Sequence, residues 1–215
     1  MKKIIKDIKT IRAIKRCKEV VFDLLPEEAN LSMRAVHKFR ESLTPETDRG
    51  CALMAAAFLD ERIMDLIKAN LVSDARLAQK AFDASGPLGS FSSRIDMAYL
   101  MGLIPKNALR DLHLLRKIRN DFAHVSDKLT FETPLISDRC GALFFIGEPR
   151  DRPPRAQFVS AMMGIVGLIE AQIIISKHAE PEPDHDIYAP SEAVTEFRNY
   201  LKEQGADIPN PYLKP

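Results

Sequence analysis

Apolar residues recur at three- and four-residue steps along most of this chain, which is the period of an amphipathic α-helix. The clearest stripe lies in residues 106–125. The apolar residues that share one helical face there are Ala108, Leu112, Leu115, Ile118, Phe122 and Val125. The same pattern predicts further helices at 2–25, 26–42, 52–71, 74–83, 90–103, 156–178 and 191–204. The sequence therefore predicts an all-α protein, with a single helical bundle and N- and C-terminal helical extensions.

Capping and turn residues indicate where some of these helices begin. The segment Gly86-Pro87-Leu88-Gly89-Ser90 is typical of a rigid turn in which glycine is available for a positive φ. Ser90 or Ser92 can cap the helix that follows this turn. Asn107 is the expected cap of the 106–125 helix, because an asparagine side chain can accept a hydrogen bond from an amide of the first turn.

The region after residue 124 is less regular and allows two interpretations. Thr133 and Pro134 favour the start of a short helix that runs through Cys140. The alternative is a hairpin that pairs 129–136 with 142–147. We favour the helix.

Charge divides the chain into three predicted regions. Residues 1–25 are predicted to form a basic amphipathic helix, whose polar face carries eight lysine and arginine residues against Asp7 and Glu19. Such a helix can contact nucleic acid, a membrane surface or an acidic partner. Its basic face lacks interleaved aromatic residues, so we favour a terminal helix that docks its isoleucines. Residues 26–178 form the bundle domain, and 179–215 form an acidic, proline-rich linker, a short helix and a tail.

Composition indicates a soluble cytoplasmic protein without a cofactor. The chain is 46% hydrophobic and 28% charged, with a net charge of +1, so bulk electrostatics do not favour a polyanion partner. Cys17, Cys51 and Cys140 lack metal-ligand spacing and are expected to be free thiols in a reducing compartment. No secretory signal or phosphate-binding glycine motif is visible. The apolar segment 161–175 contains Glu170 and is shorter than the roughly 20 residues a bilayer needs, so we expect a core helix.

Charged residues on otherwise apolar helices suggest a polar network. Arg94 and Asp96 would each cost several kcal/mol if buried without a partner. We therefore expect both to pair with charges from the 46–71 and 106–125 helices. The residues expected to form this structural network or a partner surface are Arg49, Asp60, Glu61, Arg94, Asp96, Arg116 and Asp121.

The end of the 106–125 helix carries a dense set of reactive side chains. Arg119 could stabilise the charge of a phosphate transition state, and His124 could move a proton, so that the pair could cleave RNA without a metal. The alternative is that Asn120, Asp121 and His124 brace the helix end, where histidine also suits the negative end of the helix dipole. We favour the bracing interpretation.

Three blocks of the sequence resemble the mannitol operon repressor family. They are residues 48–62, which begin Asp-Arg-Gly-Cys-Ala; residues 86–104, with Gly-Pro-Leu-Gly before an arginine-bearing helix; and residues 111–124. The resemblance implies an all-helical transcriptional regulator that has no DNA-binding domain of its own and acts through partner proteins. The sequence shows no convincing helix-turn-helix with a basic recognition helix, in agreement with this expectation.

The segment 119–124 also resembles the arginine and histidine signature of HEPN-type helical domains. That resemblance implies a metal-independent ribonuclease or toxin, with Arg119 and His124 catalytic and Asn120 supporting, acting on RNA across a dimer. Our principal hypothesis is a repressor-like regulator that works by protein–protein contact as a homodimer, without a membrane, specific DNA binding, cofactor or metal. We do not expect an enzyme. The alternative hypothesis is the ribonuclease.

Overall fold

The computed structural model describes residues 20, 23–24, 26–124, 128–147, 150–184 and 192–206. The prediction of a basic helix at 2–25 lies almost entirely outside these residues. The described part of the chain is all-α and contains eight helices and no strand. They are α1 (Glu27–Ser42), α2 (Asp48–Lys68), α3 (Ala75–Phe82), α4 (Phe91–Leu100), α5 (Lys106–Ala123), α6 (Pro134–Gly141), α7 (Pro154–Ile175) and α8 (Glu192–Glu203).

The chain divides into two compact units, residues 1–179 and 180–215. The first unit contains α1 to α7. Within it, α2 packs against α4, α5 and α7, while α7 also contacts α1, α5 and α6. The second unit contains α8, which has no buried residue. Helices α2 and α7 therefore form the centre of the bundle.

Side-chain caps fix several helix starts. Thr47 accepts a hydrogen bond from the amide of Gly50 (3.0 Å), and Asp74 accepts one from the amide of Leu77 (2.9 Å). Ser90 caps α4 in a reciprocal arrangement with Ser93, which confirms the expected cap at Ser90. The prediction for Asn107 is wrong, because the N-cap residue is Pro105 and α5 begins at Lys106, so Asn107 lies within the first turn. The Asn107 side chain instead accepts from the adjacent amide of Ala108 (2.9 Å).

The short helix α6 resolves the ambiguity after residue 124. It begins at Pro134 and ends at Gly141, as the favoured interpretation expected. The alternative hairpin is wrong, since 129–136 and 142–147 form no strand. Phe131, just before α6, contacts Phe122 of α5 and Phe158 of α7, with ring centroids 5.1 Å apart in each pair. The segment before α6 thus adds Phe131 to the core and does not pair as a strand.

Helix α7 is the apolar core helix that the sequence predicts. Seven of its residues are buried, including Phe158, Ile165 and Ile169. The helix is long and apolar enough to cross a membrane by length and composition alone. Its contacts with α1, α2, α5 and α6 place it inside the bundle. The carboxylate of Glu170 is buried within this helix, beside Ser32 of α1 and 3.7 Å from a guanidinium nitrogen of Arg62 on α2.

The Gly-Pro-Leu-Gly turn needs glycine for close approach, and the expectation of a positive φ in it is wrong. Positive φ values occur in the described chain at Gly102, Gly147 and Gly205. A Cβ atom at Gly86 would lie 2.4 Å from the carbonyl oxygen of Lys80, and one at Gly89 would lie 2.4 Å from that of Asp83. The turn therefore folds back tightly onto the end of α3, as the 2.9 Å bond from the amide of Leu88 to the carbonyl of Ala81 also shows.

Candidate functional site

A group of polar side chains surrounds the C-terminal end of α5. We call it the α5 terminal cluster, which comprises Arg49, Arg119, Asn120, Asp121, His124 and Arg139. Helix α5 ends at Ala123, and His124 follows with extended backbone angles. The last carbonyl groups of a helix have no partner within it. Arg49 on the first turn of α2 donates from Nη2 to the carbonyl oxygen of His124 (3.0 Å) and so joins the two helix ends.

Two further contacts brace this helix end. Asp121 forms an ion pair with Arg139 of α6, and both side chains are about one-quarter exposed. Arg119 donates from Nη1 to the side-chain oxygen of Asn120 (3.0 Å). Asn120, Asp121 and His124 thus all make contacts at the end of the helix, and His124 does so through its backbone carbonyl. The bracing role of these residues stays a prediction.

Three helices contribute charge to the α5 terminal cluster. Arg49 comes from α2, Arg119 and Asp121 from α5, and Arg139 from α6. The cluster contains three arginines and one aspartate, and Arg139 is the arginine that pairs with Asp121, so the cluster carries a net positive charge. His124 is exposed, whereas Arg119 is half-buried. The proposed catalytic roles of Arg119, His124 and Asn120 stay a prediction.

Arg94 and Asp60 form a second polar group, buried between α4 and α2. Arg94 Nε and Nη2 lie 2.7 Å from the two carboxylate oxygens of Asp60, and Nη1 donates to the carbonyl of Leu88 at 2.7 Å. The sequence predicts this pairing of Arg94 with a charge from the 46–71 helix. Because Leu88 belongs to the Gly-Pro-Leu-Gly turn, one guanidinium group fixes the turn, α2 and α4 together.

Asp96 makes the predicted contact with the α5 helix, but at the surface. Its Oδ1 lies 2.9 Å from Nε2 of His113, and its side chain is 57% exposed. The expectation that Asp96 is as costly to leave unpaired as Arg94 is therefore wrong. Glu61 is also exposed, 3.6 Å from Arg62. Arg116 is half-buried, and its Nε has no hydrogen-bond partner among the described residues.

A third group at the start of α2 was missed by the sequence analysis. Arg155 of α7 donates to Oδ1 of Asp48 (2.9 Å) and to the carbonyls of Leu43 (2.9 Å) and Glu46 (2.6 Å). The other oxygen of Asp48 accepts from the amide of Phe131 (3.0 Å). Two of the three acceptors of Arg155 are backbone carbonyls, which carry no sequence signal. In addition, the helix predicted at 156–178 excludes Arg155, whereas α7 begins at Pro154.

Burial raises the pKa of two carboxyl groups. Burial raises the pKa of Asp111, which accepts hydrogen bonds from the amides of Phe144 and Phe145 at 2.9–3.0 Å, and these bonds partly offset the rise. Burial also raises the pKa of Asp65, against the lowering effect of nearby Arg62. Through its hydrogen bonds from the amides of Phe144 and Phe145, Asp111 holds the segment between α6 and α7 against α5.

The described residues contain no cluster of three or more histidine, cysteine, aspartate or glutamate side chains that could hold a metal ion. Cys51 and Cys140 are buried free thiols. Burial raises the pKa of the Cys51 thiol to about 11 and that of Cys140 to about 12. Neither thiol is poised to act as a nucleophile or metal ligand near neutral pH.

Comparison with known proteins relates this chain to a protein family and its fold to a solved structure. The family model described as mannitol repressor matches residues 38–155. That range contains every member of the α5 terminal cluster as well as the Arg94–Asp60 pair. No curated protein matches the chain. The fold is similar to that of a chain in the structure described as the X-ray structure of the MtlR–HPr complex from Escherichia coli, with a TM-score of 0.54 and 21% sequence identity over 63% of this chain and 98% of that chain.

Proposed function

The chain belongs to the mannitol repressor family, and we propose that it is a repressor-like transcriptional regulator that acts through contacts with other proteins. The family match carries this proposal, because it spans more than half of the chain. The absence of a convincing helix-turn-helix in the sequence supports action through a partner. We further propose that the protein is cytoplasmic and forms a homodimer. Light scattering on purified protein tests the homodimer directly.

We propose an HPr-type protein as the first partner to test. The fold neighbour comes from a complex of MtlR with HPr, so a scaffold of this shape is compatible with such a partner. Sequence identity of 21% supports the shared fold and leaves the partner surface to be argued from this chain's own residues.

The α5 terminal cluster is the surface we propose for the contact. Its arginines are held by Asp121, Asn120 and the carbonyl of His124, so little side-chain entropy is lost when they meet a partner. Guanidinium groups are favoured at protein interfaces, and a cationic surface selects partners with carboxylates or exposed carbonyls. Attraction between opposite charges also makes association faster at low salt.

Calorimetric titration of the purified full chain with Escherichia coli HPr tests this proposal. We expect binding that weakens as salt is raised from 50 to about 300 mM, because exposed charges are screened. Arg119→Ala and His124→Ala should weaken binding by about tenfold or more, the effect of losing one interface anchor. Arg110→Ala on the same helix is the matched control, since Arg110 is exposed and lies outside the cluster.

The outcomes test the proposed partner and the proposed surface separately. If all three variants bind HPr as wild type does, the contact lies on another face of the protein. A folded wild-type protein that does not bind HPr at low salt would remove HPr as the partner, and affinity capture from the source cell would then be needed to identify another.

A further inference from the structure

The outer face of α5 carries a row of basic side chains that is separate from the α5 terminal cluster. Lys106, Arg110, His113 and Lys117 follow one another at steps of four, three and four residues, which places them on one side of the helix. We call these four residues the α5 outer stripe. Its two lysines and its arginine are exposed, and its histidine is half-buried. Because α5 packs against α2, α4, α6 and α7, the stripe is the face that this helix offers to a ligand.

The charges of α5 are not balanced along this face. Every residue of α5 lies within the described part of the chain, and its two carboxylates belong to Asp111 and Asp121. Asp111 is buried, and Asp121 pairs with Arg139 of α6. Asp96 of α4 reaches the stripe, where it contacts His113. The three exposed cations of the stripe form no ion pair with any described residue. The net charge of +1 for the whole chain therefore conceals a local excess of positive charge.

A row of like charges has a cost in helix stability. Cations three or four residues apart on a helix repel one another. A solvent-exposed helix more often interleaves the two signs, as α2 does with Glu61, Arg62 and Lys68. On the flank of the stripe, Arg116 adds another positive charge, and its Nε has no hydrogen-bond partner among the described residues. The face thus concentrates cations instead of balancing them, which favours a polyanionic ligand.

The composition of the stripe favours phosphate groups over a protein surface. Protein interfaces are depleted in lysine and depend on aromatic or other large anchors at their centre. The stripe has two lysines and no aromatic or aliphatic side chain. Lysine and arginine are the main ligands of a nucleic-acid backbone. From Lys106 to Lys117 the helix rises roughly 17 Å, a length that contains about five phosphates of one DNA strand.

We propose that the α5 outer stripe binds the phosphate backbone of duplex DNA without reading its sequence. Single strands are bound by stacking their bases on exposed aromatic side chains, whereas the one aromatic residue of α5, Phe122, is buried. The choice of DNA over duplex RNA rests on the proposed function, since a transcriptional regulator acts at DNA. Backbone contacts carry no sequence information. The stripe therefore holds the regulator on DNA, and a protein partner selects the operator.

The test measures binding of the full chain to a labelled duplex of about 20 base pairs by fluorescence anisotropy. We expect the logarithm of the association constant to fall with the logarithm of salt concentration at a slope of about −3 or steeper, because each neutralised phosphate contributes about −0.9. The stripe variant carries Lys106→Gln, Arg110→Gln and Lys117→Gln. It should bind at least about tenfold more weakly at about 50 mM salt, with a slope that is shallower by about 3.

A control variant with the same change in charge tests the location of the site. It carries Lys38→Gln, Arg76→Gln and Lys80→Gln, at exposed positions of α1 and α3, and should bind DNA as wild type does. The stripe variant should keep at least the melting temperature of wild type, because its substitutions are exposed and remove repulsion along α5. Weaker binding by a variant of unchanged stability cannot be attributed to unfolding.

Several results would overturn the assignment. These are no binding of the duplex at about 50 mM salt, where screening is weak, and equal binding by the stripe and control variants. A polyglutamate that displaces the duplex as well as unlabelled DNA of equal charge does would assign the stripe to an acidic protein. A single-stranded RNA that binds more tightly than the duplex would assign it to RNA.

Titration with HPr separates failure of this site from failure of the proposed function. The stripe lies outside the α5 terminal cluster, so the stripe variant should bind HPr as wild type does while it loses DNA. A wild-type protein that binds DNA through the stripe but does not bind HPr would leave this site in place and remove the proposed partner.

Discussion

Arg94 and Asp60 form an ion pair through two parallel hydrogen bonds of 2.7 Å each, and the arginine is only 8% exposed. The pair joins α4 to α2 in the interior of the bundle. A buried pair of this kind costs desolvation when it forms and costs more when one partner is removed.

Arg94→Ala should therefore lower the free energy of unfolding by about 3 kcal/mol, because it leaves the Asp60 carboxylate uncompensated. Asp96→Ala should cost less than about 1 kcal/mol, since its contact with His113 is exposed. Urea unfolding followed by circular dichroism measures both values. Equal midpoints for Arg94→Ala and the surface control Arg110→Ala would contradict a stabilising role for the pair.

Gly86 and Gly141 offer a matched test of the close approach at the Gly-Pro-Leu-Gly turn. An alanine Cβ at Gly86 would meet two backbone carbonyls at 2.4 and 2.5 Å, whereas nothing lies within 4 Å at Gly141. We expect Gly86→Ala to destabilise the protein by about 1–3 kcal/mol, as overpacking does. Gly141→Ala should be neutral or stabilising by up to about 1 kcal/mol. Thermal melts of the two variants check the contrast, and a Gly86→Ala variant as stable as wild type would show that the turn can shift freely.

Asp111 should make stability depend on pH. Its pKa in the folded protein lies above its ordinary value of 3.8, so the folded state holds a proton more tightly than the unfolded state. The stabilising contribution of this linkage is therefore full below pH 3.8 and is lost as pH rises through the raised pKa. Relative to Asp111→Asn, wild type should gain stability on acidification through this window. Melting temperatures from pH 3.5 to 7 measure the difference, and parallel curves would contradict the shift.

The buried thiols should be protected in the native protein. A Cys17→Ser variant keeps only Cys51 and Cys140, whose pKa values of about 11 and 12 leave little thiolate at pH 8. We expect no rapid reaction with a thiol reagent such as Ellman's reagent until denaturant is added, when two thiols should react. Rapid native labelling of this variant would show that the core around α2 or α6 opens readily.

Cleavage of RNA by Arg119 and His124 has a simple test. For a regulator that works by protein contact, we expect no cleavage of several RNAs in EDTA. Cleavage by wild type that leaves cyclic-phosphate ends, and that both Arg119→Ala and His124→Ala abolish, would instead establish the ribonuclease hypothesis. Melting temperatures of the two variants distinguish a lost catalytic group from a lost brace.

Periodicity predicted the helices of the bundle well because most of them bury a regular apolar stripe, although α3 and α8 bury no residue. In α5, the stripe residues from Ala108 to Phe122 are all buried, as predicted. The pairing of Arg94 was predictable because a charge on an apolar face requires a partner. The roles of Arg155 and Asp111 were not predictable, because most of their partners are backbone groups of distant segments. The turn at Gly86 was predicted from its composition, but the reason for its glycines depends on how closely α3 approaches.

Asp48 and Arg49 are neighbours on the first turn of α2, yet they bind different parts of the bundle. Asp48 binds Arg155 of α7, and Arg49 binds the carbonyl of His124, the residue that follows α5. Successive residues of an α-helix point about 100° apart. Inserting or deleting one residue between Thr47 and Arg49 would rotate one side chain away from its partner while leaving the other in place. Length variation among related chains should therefore avoid this turn, and a family member that carries such a change should need a different way to hold α5 against α7.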